Sequence, residues 1–400
     1  MAPAKSWIDL LKLKLSLGQQ GNDNIGNFAY TDQYRLSPSS DTNMSPSFRQ
    51  LGNKDVTWET TTNLNFGVEF NLFKERLSGN VDIYAKKTQD LLFWISIPES
   101  AGTRGYFGNI GDVLNSGFEL TLNGSIVKTK LVDWSVYGNI AHNVTKILSL
   151  PEQKIAKNGG YLDQGIWYEV GGPMYNQMNR KYAGVNEQGE ALYYYDKSLA
   201  KFDKDGNIKD MNTSKPGTEL SGTTTNWEKA SRYAMGSGVP DLFGGFGTSL
   251  RVGPVDASLQ FDYQIGGLMY DYGYAHLMSP LQDDQGAGAT FHKDWVKSWS
   301  PTNKDSNLPR WKFGDKFSAS GSDRFLTNAS YLNFQSFTIG YTLPKFVDEI
   351  SRIRVYVTGE NLAFWSKRRG MDPRFSFSGN NAVGDYSPVR NISGGIEISF

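Results

Sequence analysis

Three histidines, His142, His276 and His292, are the only imidazoles in this 400-residue chain, and no cysteine accompanies them. They are therefore the first candidates for acid–base or metal chemistry. They stand too far apart in sequence to propose a triad or a metal site, and no GxSxG, HExxH or Walker loop is present. "FDKDGNIKD", Phe202 to Asp210, offers Asp203, Asp205 and Asn207 as oxygen ligands for calcium. An EF-hand loop needs glycine at position six and a carboxylate at twelve; counted from Asp203, Gly206 is fourth and Ser214 twelfth. An Asp-Gly turn at the tip of a hairpin is the better reading. The stretches best suited to binding are aromatic: "GIWYEVGGPMYNQMNRKY", "ALYYYD", "HKDWVKSWS" and "LPRWKF". They carry Trp167, Tyr168, Tyr193, Tyr194, Tyr195, Trp295, Trp299 and Trp311. Aromatic faces stack on sugar rings and equally pack loop interiors, and both uses stay open for each residue.

The elements that must position these residues are strands. Leu11, Leu13, Leu15 and Leu17 alternate with Lys12, Lys14 and Ser16, and Leu64, Phe66, Val68, Phe70 and Leu72 alternate with polar residues such as Glu69. The same period of two continues through Leu77–Ala85, Phe118–Leu122, Trp134–Ile140, Ala257–Tyr263 and Ile353–Val357. It predicts ten strands, at 10–19, 59–72, 77–92, 109–127, 132–147, 240–251, 256–271, 327–343, 351–365 and 390–400. Short connections ("FKER", "VKTKL", "RVGPVD", "LPKFVDEIS") alternate with long ones near 19–58, 93–108, 148–239, 272–326 and 367–389. Short-long alternation is the signature of an antiparallel transmembrane β-barrel with tight periplasmic turns and large extracellular loops. The polar phase, with Glu69, Asp82, Glu119, Asp262, Arg354 and Glu397, is expected to face a wet lumen, and the apolar phase lipid. A soluble β-sandwich would also alternate, but it uses short loops at both ends.

Composition agrees. Lys plus Arg equals Asp plus Glu at 41 each, so no net charge calls for nucleic acid. Aromatics make up 14% and glycine numbers 43, a mixture typical of sheets joined by aromatic loops. No run of 18 apolar residues occurs, which excludes a spanning helix. Asp9, Lys12 and Lys14 interrupt "MAPAKSWIDLLKLKLSL", so it does not read as a signal peptide. No catalytic residue, metal or cofactor is expected.

Several segments resemble one family, in the family's order. "LKLKLSLGQQGNDNIGNFAYTDQY", "TWETTTNLNFGVEFNLFKERLSGNVDIYAKKTQDLLF" and "GNIGDVLNSGFELTLNGSI" resemble barrel segments of the SusC/RagA-type TonB-dependent transporters. "ASYLNFQSFTIGYTLP", "RVYVTGENLAFWS" and "GMDPRFS" resemble the penultimate strands and the loop after them. The resemblance covers nearly the whole chain. It implies about ten C-terminal strands of a 22-stranded barrel, without its plug. The chain then reads as a C-terminal portion, with TonB engaged only through an N-terminal part, and "MAPAKSW" as a start inside the barrel. The family implies import of oligosaccharide or peptide across the outer membrane of a Gram-negative, Bacteroidota-like cell, with a SusD-like lipoprotein lid over the loops. The final "RNISGGIEISF" resembles the signal that outer-membrane strands show their assembly machinery, with Ile396, Ile398 and Phe400 as its apolar side. The same residues would meet lipid at the periplasmic interface. Of the loop aromatics, Trp167, Tyr168, Tyr193, Tyr194, Trp295, Trp299 and Trp311 are the candidate cargo contacts. The competing readings are a self-contained ten-stranded barrel, porin-like or a rim-type protease using His142, and a soluble sandwich module. A self-contained barrel requires Leu11–Leu17 to pair with Ile392–Phe400.

Overall fold

The computed structural model describes residues 7–400 apart from 39–42, 99, 101, 104, 156, 281–289, 319, 346–348, 369, 376–378 and 380–386. The predicted start, 1–6, and the middle of the predicted turn "LPKFVDEIS" lie outside the described residues. Ten strands form one antiparallel sheet in strict chain order. They are β1 (Ile8–Asn22), β2 (Glu59–Leu72), β3 (Leu77–Gln89), β4 (Asp112–Lys128), β5 (Val132–Ser149), β6 (Leu242–Val252), β7 (Val255–Ile265), β8 (Tyr331–Thr342), β9 (Arg352–Ser366) and β10 (Asn391–Ser399). Each predicted strand is present. β1 and β10 are the two outer strands and do not pair with each other among the described residues, so the ten strands do not close a barrel alone. The other sheets among the described residues are small, of two to four strands each. Among the described residues no helix is long and apolar enough to cross a membrane.

Three predicted strands fall short by three residues or more, for backbone reasons. Strand 77–92 stops at Gln89 because Asp90 takes a left-handed conformation, φ 56°. Strand 256–271 stops at Ile265, ahead of Gly266 and Gly267 with φ 80° and 78°. The segment after it, Leu268–Tyr270, pairs instead with Leu326–Asn328, which removes the start of the predicted 327–343 strand from the sheet.

Register explains why the two phases matter. Directly opposed residues of antiparallel strands share a face. Leu13, Val68, Val81, Leu120, Ile140, Gly244, Tyr263 and Leu332 form one continuous row across eight strands. Above it run Leu15, Phe66, Ile83 and Phe118, and beside it Phe246, Phe261 and Phe334 stack at 5.1 and 4.7 Å. Ile83 is 53% exposed and Leu15 76%, so this band is left uncovered by the described residues. Trp134, on the same face, satisfies its indole N–H on Thr248 Oγ1 at 2.9 Å.

The opposite face carries the row Lys12, Glu69, Asn80, Thr121, Asn139, Gly245, Asp262, Asn333. All six residues expected on the polar side share this face. Glu69 meets Lys14 at 3.0 Å, Asp82 lies directly opposite Glu119, and Asp262 accepts from Asn333 Nδ2 at 2.7 Å. Arg354 donates from Nε and Nη2 to both oxygens of Asp256, at 2.9 and 2.5 Å, with Glu397 3.8 Å away. To do so its guanidinium crosses the intervening strand β8 at Gly340, where a Cβ would sit 2.5 Å from Nε. Gly340→Val is therefore expected to displace Arg354 and strand two half-buried charges, lowering stability by about 2–4 kcal/mol. Urea unfolding checks this, and a midpoint equal to wild type would refute it. Tyrosines lie over glycines of the next strand in the same manner, Tyr84 over Gly117 and Tyr356 over Gly395.

Candidate functional site

The short connections are terse. Phe73, Lys74 and Glu75 all take left-handed conformations, φ 58–61°, held by Asp9 Oδ2 accepting from Glu75 N and by Trp7 stacked on Phe73. The long connections, all at the other end of the sheet, fold into two bodies.

The first body joins the hairpin Gln33–Pro38 with Met44–Gln50 to the hairpin Leu92–Ser96 with Gly105–Asn109. Asn109 ties them, its Oδ1 accepting from Thr57 N at 2.8 Å while Nδ2 donates to Thr57 O and Asp90 O. The second body is larger. Gly160–Asp163, Ile166–Glu169, Asn176–Arg180 and Arg232–Ser237 form one small sheet, and Tyr182–Val185, Ala191–Tyr195 and Gly222–Thr224 another. These strands of three to six residues gave no usable period in the sequence.

The loop between β7 and β8 locks onto this second body through side chain to backbone bonds. Tyr182 OH donates to Asn307 O at 2.9 Å, Tyr193 OH to Phe317 O at 2.6 Å, and Trp227 Nε1 to Gly321 O at 2.8 Å. Arg310 pairs with Glu190 at 2.9 Å. Burial pushes the Tyr182 phenol up to about 12 and Tyr193 higher still, so both remain donors at any physiological pH. Arg180, 4% exposed, lies 3.5 Å from the Trp227 ring centre, and burial pulls it down to about 9. The segment after β9 joins through Arg368, which pairs with buried Asp271 at 3.3 Å and stacks over Tyr274.

The aromatic candidates divide accordingly. Trp167 and Tyr193 are 1% and 0% exposed and form loop cores, so neither has a face open to a ligand. Tyr168 stacks on Tyr161 at 5.0 Å. Trp295 donates to Leu277 O and packs on the cluster of Tyr270, Met278 and Phe325. Tyr194 and Trp299 are half-buried, Trp299 lying against Gly189. Trp311, with Phe291 edge-on at 6.2 Å, is exposed. The structure does not bring the seven into one site. Asp203 Oδ1 accepts from Asp205 N and Asn207 N, and Gly206 has φ 82°, the geometry of a hairpin turn. His142 lies on the apolar face, against Phe118 at 5.7 Å, with Nδ1 on Asp241 O. Among the described residues no cluster of three metal-ligating side chains occurs.

A cavity able to take a ligand lies elsewhere, on the polar face of the sheet beneath the second loop body. About 680 Å³ in volume, it is lined from the wall by Tyr84, Lys86, Asn115, Asn143, Phe243 and Tyr331, and roofed by Tyr175, Pro240 and Arg374. Its wall residues belong to the predicted strands' polar phase. A register map of that phase would have grouped them, whereas loop composition could not. Asp372 and Arg374 form a bidentate pair at 2.8 and 2.5 Å at the roof. Burial raises the Asp372 carboxyl, but Arg374's hydrogen bonds outweigh it and hold the group below the usual range.

Residues 7–362 match the family described as TonB dependent receptor-like, beta-barrel. The chain is 26% identical over 415 aligned residues to TonB-dependent receptor P3 of Formosa agariphila, covering 97% of this chain and 39% of that protein. It is 27% identical to TonB-dependent receptor SusC of Bacteroides thetaiotaomicron, covering 91% and 35%. The RagAB peptide importer in its closed-closed state superposes with a TM-score of 0.80 at 25% identity, over 98% of this chain and 41% of that one. The chain thus spans about two fifths of the length of the relatives it matches.

Proposed function

The chain belongs to the TonB dependent receptor-like β-barrel family, and from that premise we propose that it forms a section of the wall and mouth of an importer for oligosaccharides or peptides. The observation that carries this is the single sheet with one face apolar across its middle, Lys87 and Lys146 lying only at its loop end, and one charged face, its long loops gathered at that end. In hydrocarbon no open edge is tolerated, so β1 and β10 must each find a partner strand. We take the partners to be further strands of the same barrel, which gives the 22-stranded wall of plugged transporters. The charged face, with Glu69, Asp82, Glu119, Asp262, Arg354 and Glu397, then lines the lumen, and Ile396, Ile398 and Phe400 present the strand read by the assembly machinery. The long loops near 148–239 and 272–326 face the cell exterior and meet a SusD-like lipoprotein. TonB is engaged by elements outside these 400 residues. The relatives are receptors and transporters by name, and their names give no ground for assigning an enzymatic reaction.

Uptake tests the proposal. Cells expressing the protein are expected to accumulate a labelled oligosaccharide or peptide, and to stop when a protonophore collapses the inner-membrane gradient. Accumulation that survives both the protonophore and deletion of the chain would overturn it.

A further inference from the structure

The cavity beneath the second loop body is rich in donors and holds one cation without a counter-ion. Lys86 Nζ lies 5.3 Å from the Tyr84 ring centre, on the cavity wall, and no carboxylate pairs with it among the described residues. The roof cation is different, because Arg374 is paired with Asp372 through two hydrogen bonds. Lys86 also borders an adjoining cavity of about 560 Å³ with Gln19, Glu59 and Asn63, so it stands between two compartments of the same wall. Register places Asn63, Lys86, Asn115 and Thr145 side by side in one cross-strand row.

The amides beside Lys86 are oriented. Thr145 Oγ1 donates to Asn115 Oδ1 at 2.5 Å, and Tyr84 OH donates to Asn143 Oδ1 at 3.2 Å. Their amide oxygens being engaged, the two Nδ2 groups remain as donors. Gln264, on the same cavity, spends its Nε2 on Ala329 O and keeps one acceptor. Tyr84, Phe243 and Tyr331 supply ring faces around these groups.

Resting on the importer reading, we infer that this cavity takes an acidic oligosaccharide, with a sugar carboxylate at Lys86 and the Asn115 and Asn143 amides, and the ring against the aromatic wall. Sugar hydroxyls both donate and accept, so they can turn to accept from a donor-rich wall. A peptide brings a backbone N–H for every C=O. It would find few acceptors here, since the wall's own carbonyls are used in the sheet ladders.

The test uses the protein purified in detergent from outer membranes and titrated calorimetrically with tetragalacturonate, its methyl ester and tetraglutamate. The acid is expected to bind at least about tenfold tighter than the ester, the size of one charge-assisted contact. Lys86→Met should erase that ratio and Lys86→Arg should keep most of it, with heat-modifiability on gels confirming that both variants fold. Equal affinity for acid and ester, an intact ratio in K86M, tighter binding of tetraglutamate, or no carbohydrate binding by folded protein would each overturn the inference. In all four cases persisting protonophore-sensitive uptake would leave the importer reading standing, whereas loss of uptake strikes that reading instead.

Discussion

Ile83→Arg is expected to lower the folded population in lipid vesicles roughly 30- to 900-fold, whereas Thr121→Arg changes it little. Ile83 lies in the interior of the sheet, between Phe66 and Phe118, and is 53% exposed. If its surroundings are hydrocarbon, an arginine near the midplane of a barrel's outer face costs about 2–4 kcal/mol. Thr121 lies opposite Asn80, three positions along the strands from Ile83, and on the other face, in the row of Glu69, Asn80 and Asn139. There an arginine gains neighbours of opposite sign in Asp82 and Glu119. A soluble sheet predicts a different pattern, since an exposed isoleucine replaced by arginine in water changes stability by only about 0.5 kcal/mol. Urea titration of vesicle-refolded protein, read by heat-modifiability, separates the two. Equal midpoints for I83R and wild type would remove the lipid from the outward face.

Legibility followed periodicity. A strand with one face toward lipid and one toward water alternates strongly, because each solvent penalises the wrong side chain. That is why β2 was predicted to the residue at 59–72, and β5 and β9 to within two residues at each end. Ends failed where one backbone angle decided, as at Asp90 and at Gly266–Gly267, since composition does not report φ. The loop bodies were illegible for another reason. Their strands are three to seven residues long and are held by tertiary bonds such as Tyr193 OH to Phe317 O, across 124 residues of sequence. The aromatic content of those loops was visible, but not its division. Trp167 and Tyr193 are core residues and Trp311 is at the surface, although all three sit in aromatic loop stretches. The cavity was half visible. Lys86, Asn115 and Asn143 were all in correctly predicted strands, but only register places them side by side.

The second loop body has its own keystone, and removing it should be visible without disturbing the wall. Asp196, 1% exposed, follows the strand Ala191–Tyr195 and accepts from Ser198 N and Oγ at 2.8 and 2.7 Å, from Thr218 N at 2.8 Å and from Glu219 N at 3.1 Å. Burial alone would raise its carboxyl, but the donors from Ser198, Thr218 and Glu219 outweigh burial and hold it far below the usual range. Asp196→Asn turns one acceptor into an N–H aimed at the Thr218 and Glu219 amides. A buried donor facing donors costs about 2–4 kcal/mol locally. Hydrogen exchange in 191–199 and 217–224 is expected to quicken roughly 30- to 900-fold in D196N, while amides of β2 to β5 keep their rates. The pH dependence follows from the sign of the shift. A carboxyl whose folded pKa is depressed contributes fully above its unfolded value near 3.9, and loses that contribution as pH falls toward the folded value. Wild type should therefore approach D196N as the pH drops below about 4, relative to matched intrinsic rates, and the variant should show no such slope. Equal protection in the two proteins at neutral pH would mean that the body is held by the Tyr182, Tyr193 and Trp227 bonds instead.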